Sequence, residues 1–228
     1  MPLLTDALDA RFGTDPELQA ASERADLPTR VGRFLAALLS LDSRRNPKWL
    51  DHLETEGFLD PVNLSAVEPS DLIESFRVVG LKLRTADALV LIRVARWLVE
   101  RHHGDFEELE ALSTATLREE LRQIRGLGPT TVEAVLLDGL DRFTYPLDRP
   151  SLRVLARHGW IEPWSEFDDT REFLEQALGQ DPSAARRWSR WMTRLAREYC
   201  LAKRPCCENC PLRFALPEGG ALQLDPDA

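Results

Sequence analysis

Apolar side chains return every three or four positions along almost the whole of this chain, and runs that alternate apolar and polar between paired turn signals are nearly absent. A period near 3.6 buries one face of a helix, whereas a half-buried strand needs a period of two. The pattern therefore predicts an all-α fold. Residues 29–41, TRVGRFLAALLSL, read as a buried helix, and residues 85–102 as a long amphipathic helix that ends before Gly104. Ser113 or Thr114 is placed to cap a helix that stops at Gly126. Asp181 is placed to cap the last long helix, with Pro182 at its first position. Ala185, Trp188, Met192, Leu195 and Tyr199 would share one face of it, and its end leads directly into Cys200. Trp97, Trp188 and Trp191 lie on these helices, where packing accounts for them.

Two places interrupt the pattern informatively. In LRQIRGLGPTTVEAVLL, residues 121–137, a helix is followed by Gly126, Leu127 and Gly128 and then by a second helix entered through Pro129. Two glycines flanking one apolar residue permit a positive φ and a close approach, Leu127 would plug the gap between the helices, and Pro129 pre-sets the next one. The outcome is a helix start that can hold an anion such as a DNA phosphate without reading sequence. A plain helix corner with a glycine turn would look the same. Further on, Asp148 in YPLDRPSLRVLARHG is placed to accept a hydrogen bond from the backbone NH of Ser151, and it is also a carboxylate available at the edge of a site.

Composition narrows the setting. The chain has 228 residues, 43% hydrophobic and 29% charged, which suffices for an ordinary packed core. No apolar run approaches the roughly 18 residues that a membrane span needs, and the first residues lack the basic start of a signal peptide. A cytoplasmic protein is expected, with a monomer as the default. The net charge of −9 argues mildly against a nucleic-acid partner. Basic residues nevertheless gather at Arg44, Arg45 and Lys48, at Lys82 and Arg84, and along residues 186–204.

All four cysteines, Cys200, Cys206, Cys207 and Cys210, fall within eleven residues. In a reducing compartment such a cluster is more often a metal or redox site than a set of disulfides. His52, His102, His103 and His158 show no ligand spacing with one another or with these cysteines.

Taken together, LLSLDSRR, VGLKLRTADAL, IRGLGPTTVEAVLL, LDRPSLRVLARHG and YCLAKRPCCENCPL, in this order over residues 27 to 213, resemble the helix-hairpin-helix DNA glycosylases of the endonuclease III type. The resemblance implies two helical domains with DNA between them. One is a six-helix barrel over residues 28–140 that contains the hairpin, and the other comprises residues 1–27 with 141–228 and bears a cluster loop. It also implies extrusion of a damaged base and cleavage of its N-glycosidic bond, with a nucleoid-associated location. Asp148 matches the catalytic carboxylate. Gly126, Leu127, Gly128 and Thr131 would hold backbone phosphate with help from Arg44 and Lys82, and Asp42 and Leu81 occupy the positions of groups that enter the duplex.

Two departures matter. Bifunctional members carry a lysine after the hairpin glycines that forms a Schiff base with the sugar. Thr130 stands there, and the only lysines are Lys48, Lys82 and Lys203. The expectation is a monofunctional N-glycosylase with little or no lyase activity. The alternatives are a non-catalytic binder of damaged or abasic DNA and an enzyme with weak lyase activity from another amine. The second departure concerns the cluster. Cys200, Cys207 and Cys210 match three ligands of a 4Fe-4S cluster, but the fourth position is Leu216. Cys206, Glu218 or Asp225 would then have to substitute. Zinc on four thiolates and a metal-free loop are the other readings.

Overall fold

A computed structural model of the chain describes residues 1–15, 18, 30–39 and 48–224. Every regular element among them is helical, as the sequence pattern predicts. None of these helices is long and apolar enough to cross a membrane. The chain divides into two compact units, Arg24–Arg142 and Met1–Glu23 with Phe143–Ala228.

The first unit is organised by helix Thr85–His102, whose bounds match the sequence expectation. Ala88, Leu91, Ile92, Val94, Ala95, Trp97 and Leu98 are all buried on it. A helix apolar over so much of its surface must be covered on several sides. Helices Pro61–Ala66 and Pro69–Val78 pack against it, and Phe34, Leu53, Leu72, Phe76, Leu109, Leu117 and Leu121 complete the same core. Burial of each large side chain contributes about 1.5–3 kcal/mol. The helix stops where His103 adopts a left-handed conformation at φ 52°, followed by Gly104 at φ 76°. Proline opens the helices at Pro61, Pro69 and Pro129, while Asp60, Asp105 and Ser113 accept from the backbone NH groups of Val62, Glu107 and Thr116. These side chains satisfy amides that have no partner inside the helix.

One departure from the sequence pattern lies at the end of the hairpin. The pattern carries its second helix on to Leu137, but the segment is an α-helix only over Pro129–Ala134 and continues as a π-turn over Val135–Gly139. The Leu140 NH reaches back five residues to the Val135 carbonyl at 3.0 Å. Gly139 allows a close approach here, since a Cβ would lie 3.0 Å from the Cα of Phe34 and that backbone would have to give way.

The second unit is built on helix Pro182–Glu198, capped by Asp181 as expected. Ala185, Trp188, Met192 and Leu195 are buried on its expected face, joined by Trp191 and Ala196, while Tyr199 is half-buried. Helices Pro2–Phe12, Arg149–Arg157 and Phe167–Leu178 pack against it. The Trp188 indole donates to the Thr5 hydroxyl at 3.1 Å, and Arg153 donates to the Cys200 carbonyl at 2.7 Å. The tail after residue 216, which its sequence suggests is frayed, is tied down as far as Leu222. That residue's NH donates at 2.9 Å to the Arg157 carbonyl, one of the acceptors left over where helix Arg149–Arg157 ends.

Candidate functional site

The hairpin is held together from behind. Gly126 sits at φ 103°, where a Cβ would come within 2.7 Å of the Val90 side chain, so both the angle and the space demand glycine. Leu127 is buried in the core between the two helices, as its position predicts. Arg93 donates to the Arg125 carbonyl at 2.9 Å and fixes the turn to helix Thr85–His102. Gly128 caps the second helix without a side chain, and Thr130 and Thr131 stand half-buried in its first turn.

Sequence reasoning missed Glu133. This carboxylate is 0% exposed and accepts two bonds from Arg118, at 2.8 and 3.1 Å, and a third from Arg122 at 3.4 Å. Arg118 and Arg122 lie one turn apart on the first hairpin helix, Thr114–Gln123, so the ion pair clamps one helix of the hairpin onto the other. The available signal was two arginines four residues apart on one hairpin helix and a single acid on the other.

Asp148 caps helix Arg149–Arg157. One carboxylate oxygen accepts from the Ser151 NH at 2.7 Å, as expected, and the other accepts from the Thr193 hydroxyl at 2.9 Å. Thr193 is 45 residues away in sequence, on helix Pro182–Glu198, and nothing in the sequence points to it. The two donors fix the orientation of a half-exposed carboxylate, while an anion at a helix start meets the positive end of the helix dipole. Three residues earlier, the Tyr145 side chain is fully buried, and burial, reinforced by the charge of Asp148, pushes its phenol well above the ordinary range. Tyr145 is therefore a neutral neighbour of the carboxylate and not a base.

Cys200, Cys207 and Cys210 line one small cavity with Arg157, His158 and Leu216. Arg157 donates to the Cys200 sulfur at 3.4 Å and to the Leu201 and Ala202 carbonyls at 2.7 Å each. Burial pushes the Cys210 thiol up to about 11, and Cys200 and Cys207 add to the effect. Cys206 is exposed outside this cavity, its sulfur 3.9 Å from the Arg204 carbonyl. Glu218 is exposed, and Asp225 lies outside the described residues. Among the described residues, no three Cys, His, Asp or Glu side chains are grouped to hold a single ion.

His158 has no role that its spacing reveals, yet it is only 6% exposed, and its Nδ1 faces the Val154 carbonyl at 2.8 Å. Its Nε2 is buried and makes no hydrogen bond of good geometry among the described residues. Burial lowers its pKa, against the opposing influence of the Val154 and Leu212 backbones, so the ring is neutral near pH 7.

Leu81 follows Gly80 in the turn before helix Thr85–His102 and packs half-buried against the core, beside exposed Lys82. Val78 and Val79, at 74% and 53% exposure, extend an apolar edge there. Asp42 and Arg44 lie outside the described residues. The hairpin and the turn at Leu81 belong to the first unit; Asp148 and the cysteines belong to the second.

No family model matches the chain. It is 28% identical over 193 residues to a protein assigned as a DNA repair glycosylase in Methanocaldococcus jannaschii, a match covering 81% of this chain and 84% of that one. It is 23% identical over 160 residues to an endonuclease III of Sulfolobus acidocaldarius, covering 70% and 68%. Its fold is similar to that of endonuclease III in a non-covalent complex with DNA, with a TM-score of 0.63 at 19% identity over 94% of this chain and 92% of that one.

Proposed function

We infer that this chain, which belongs to the helix-hairpin-helix DNA glycosylase superfamily, is a DNA glycosylase of base excision repair, and that it works as a monofunctional hydrolase. The observation that carries the second step is the Asp148 carboxylate, oriented by the Ser151 NH and the Thr193 hydroxyl, in a chain with Thr130 where an amine nucleophile would stand. A hydroxyl forms no imine with C1′ of the sugar, so the lyase route has no starting point at this position.

In the proposed reaction, duplex DNA is held through backbone phosphate at Gly126, Leu127, Gly128 and Thr131, with Lys82 and Arg44 adding charge. Asp42 and Leu81 fill the space left as the damaged base turns out of the stack, which is necessary because the target bond is inaccessible within a duplex. The bond between C1′ and the base nitrogen then breaks, its electron pair leaving on the base. Asp148 stabilises the positive charge that develops on the sugar, where a fixed anion is most effective. A water oxygen bonds to C1′ and its proton passes to the departing base, which balances the hydrolysis; the proposal assigns Thr130 to positioning that water.

The cysteine loop is read as the site of a 4Fe-4S cluster. Three thiols around one cavity fit that group's ligand chemistry. When bound, the cluster shapes a loop that presents Lys203, Arg204 and Arg213, and takes no part in breaking the bond.

The test incubates end-labelled duplexes bearing a panel of damaged bases and an abasic site with the protein and with Asp148→Asn. Strand breaks are scored before and after alkali. Breaks that need alkali and vanish in the variant are expected. Breaks without alkali would overturn the monofunctional assignment, and binding without base release from any duplex would make the protein a damage binder.

A further inference from the structure

We propose that His158 supplies the fourth ligand of the cluster, through Nε2, beside Cys200, Cys207 and Cys210, and that Cys206 stays outside it. The proposal rests on the reading of the cysteine loop as a cluster site. Leu216 occupies the place where the resemblance puts a fourth cysteine, and it lines the same cavity with no lone pair to give. His158 lines that cavity too.

Its geometry is that of a prepared ligand. The ring is 6% exposed and stacks at 4.6 Å on Trp160. At 2.8 Å from the Val154 carbonyl, Nδ1 is assigned the proton, because a carbonyl only accepts. The lone pair is then on Nε2, which is buried and makes no hydrogen bond of good geometry, the Leu212 backbone acting on the ring without reaching bonding position. Buried polar atoms are nearly always satisfied, and one left over beside three thiols is short of a partner that a metal would be. Metal-ligating histidines are held in the same way, with the second ring nitrogen donating to a backbone carbonyl.

Cys206 is placed otherwise. Its NH is tied to the Tyr199 carbonyl at 2.7 Å and its exposed sulfur turns toward the Arg204 carbonyl. Three thiols and an imidazole lining one cavity are ligand chemistry for zinc as well as for a cluster, and the metal and sulfide contents measured below separate the two. Binding releases three thiol protons and none from the imidazole. Arg157, already donating to the Cys200 sulfur, offsets part of the thiolate charge.

The experiment purifies the full chain without oxygen and measures iron, acid-labile sulfide and zinc, the visible spectrum, and pulsed electron paramagnetic resonance of the reduced protein with and without 15N-histidine. About four iron and four sulfide per chain are expected, with a nitrogen coupling that changes on labelling. Cys206→Ser should keep both metal and coupling. His158→Leu should lose at least half of the iron. If His158→Leu fails to fold, His158→Cys decides, because it should keep the iron and lose the coupling. Full iron in His158→Leu, no nitrogen coupling in the parent protein, or loss of the cluster in Cys206→Ser each overturns the assignment of His158. One zinc per chain without sulfide, or no metal at all, overturns the cluster itself. Base release by the parent protein is scored separately and is independent of these outcomes.

Discussion

Replacing Glu133 by alanine removes the acid from a clamp that touches no proposed DNA contact, and its effect can be worked from burial. The carboxylate is 0% exposed and the Arg118 side chain 15% exposed, so the pair has little solvent to fall back on. Deleting one partner of a buried pair costs about 3–5 kcal/mol, because the remaining charge loses its fully buried counter-ion. Arg122, 33% exposed and 3.4 Å away, adds little, since water can replace its bond. Residual access of Arg118 to water places the expected loss near the lower end, about 3 kcal/mol. For a chain of this size each kcal/mol shifts the melting temperature by about 2–4 °C, so a fall of about 6–12 °C is expected by circular dichroism. A double-mutant cycle with Arg118→Ala should return a coupling of at least about 1 kcal/mol. DNA affinity should weaken as well, although Glu133 contacts no phosphate in the proposed complex, because the hairpin loses its backing. A loss below about 1 kcal/mol with no coupling would falsify the clamp, since that is the range of an ordinary surface pair.

Three further outcomes are expected. Gly126→Ala forces a side chain into a φ of 103° and against Val90, and should destabilise by more than the roughly 1 kcal/mol that separates alanine from glycine elsewhere; thermal unfolding measures it. Tyr145→Phe deletes a fully buried hydroxyl that has no hydrogen-bond partner, so stability should hold or rise by up to about 1 kcal/mol in denaturant titration; a loss above that would show that the hydroxyl is bonded after all. The metal-free protein should lose stability from about pH 9 toward pH 11. The Cys210 thiol titrates higher when folded than when unfolded, so the folded state holds the extra proton in that window and its advantage vanishes as pH rises through the folded value. Cys210→Ser should flatten that slope.

How much of this was legible depends on the range of the signal. The all-α pattern, the bounds of Thr85–His102 and the caps at Ser113, Asp148 and Asp181 are local, and the sequence pattern locates them because a cap sits within a few residues of the amides it satisfies. Pro61–Ala66 and Phe106–Ala111 are six residues each, too short for a helical period to register. Glu133 reads as a solvated acid until the helix carrying Arg118 is laid against it. Thr193 and His158 are brought to Asp148 and to the cysteines by folding, and no spacing rule connects residues on different helices. The attachment of Leu222 depends on a carbonyl left over at the end of another helix, which a tail rich in glycine and proline gives no hint of.

The π-turn at Val135–Gly139 bears on which way the end of the hairpin faces. A turn closed over five residues holds one more residue than the α-helical bond pattern uses. Relative to an unbroken α-helix, that residue rotates the side chains that follow it by about 100° about the axis. A helical wheel drawn through residues 129–140 as a single period therefore misplaces the residues after the turn, and the hydrogen bond from Leu140 to Val135 marks where the rotation is taken up.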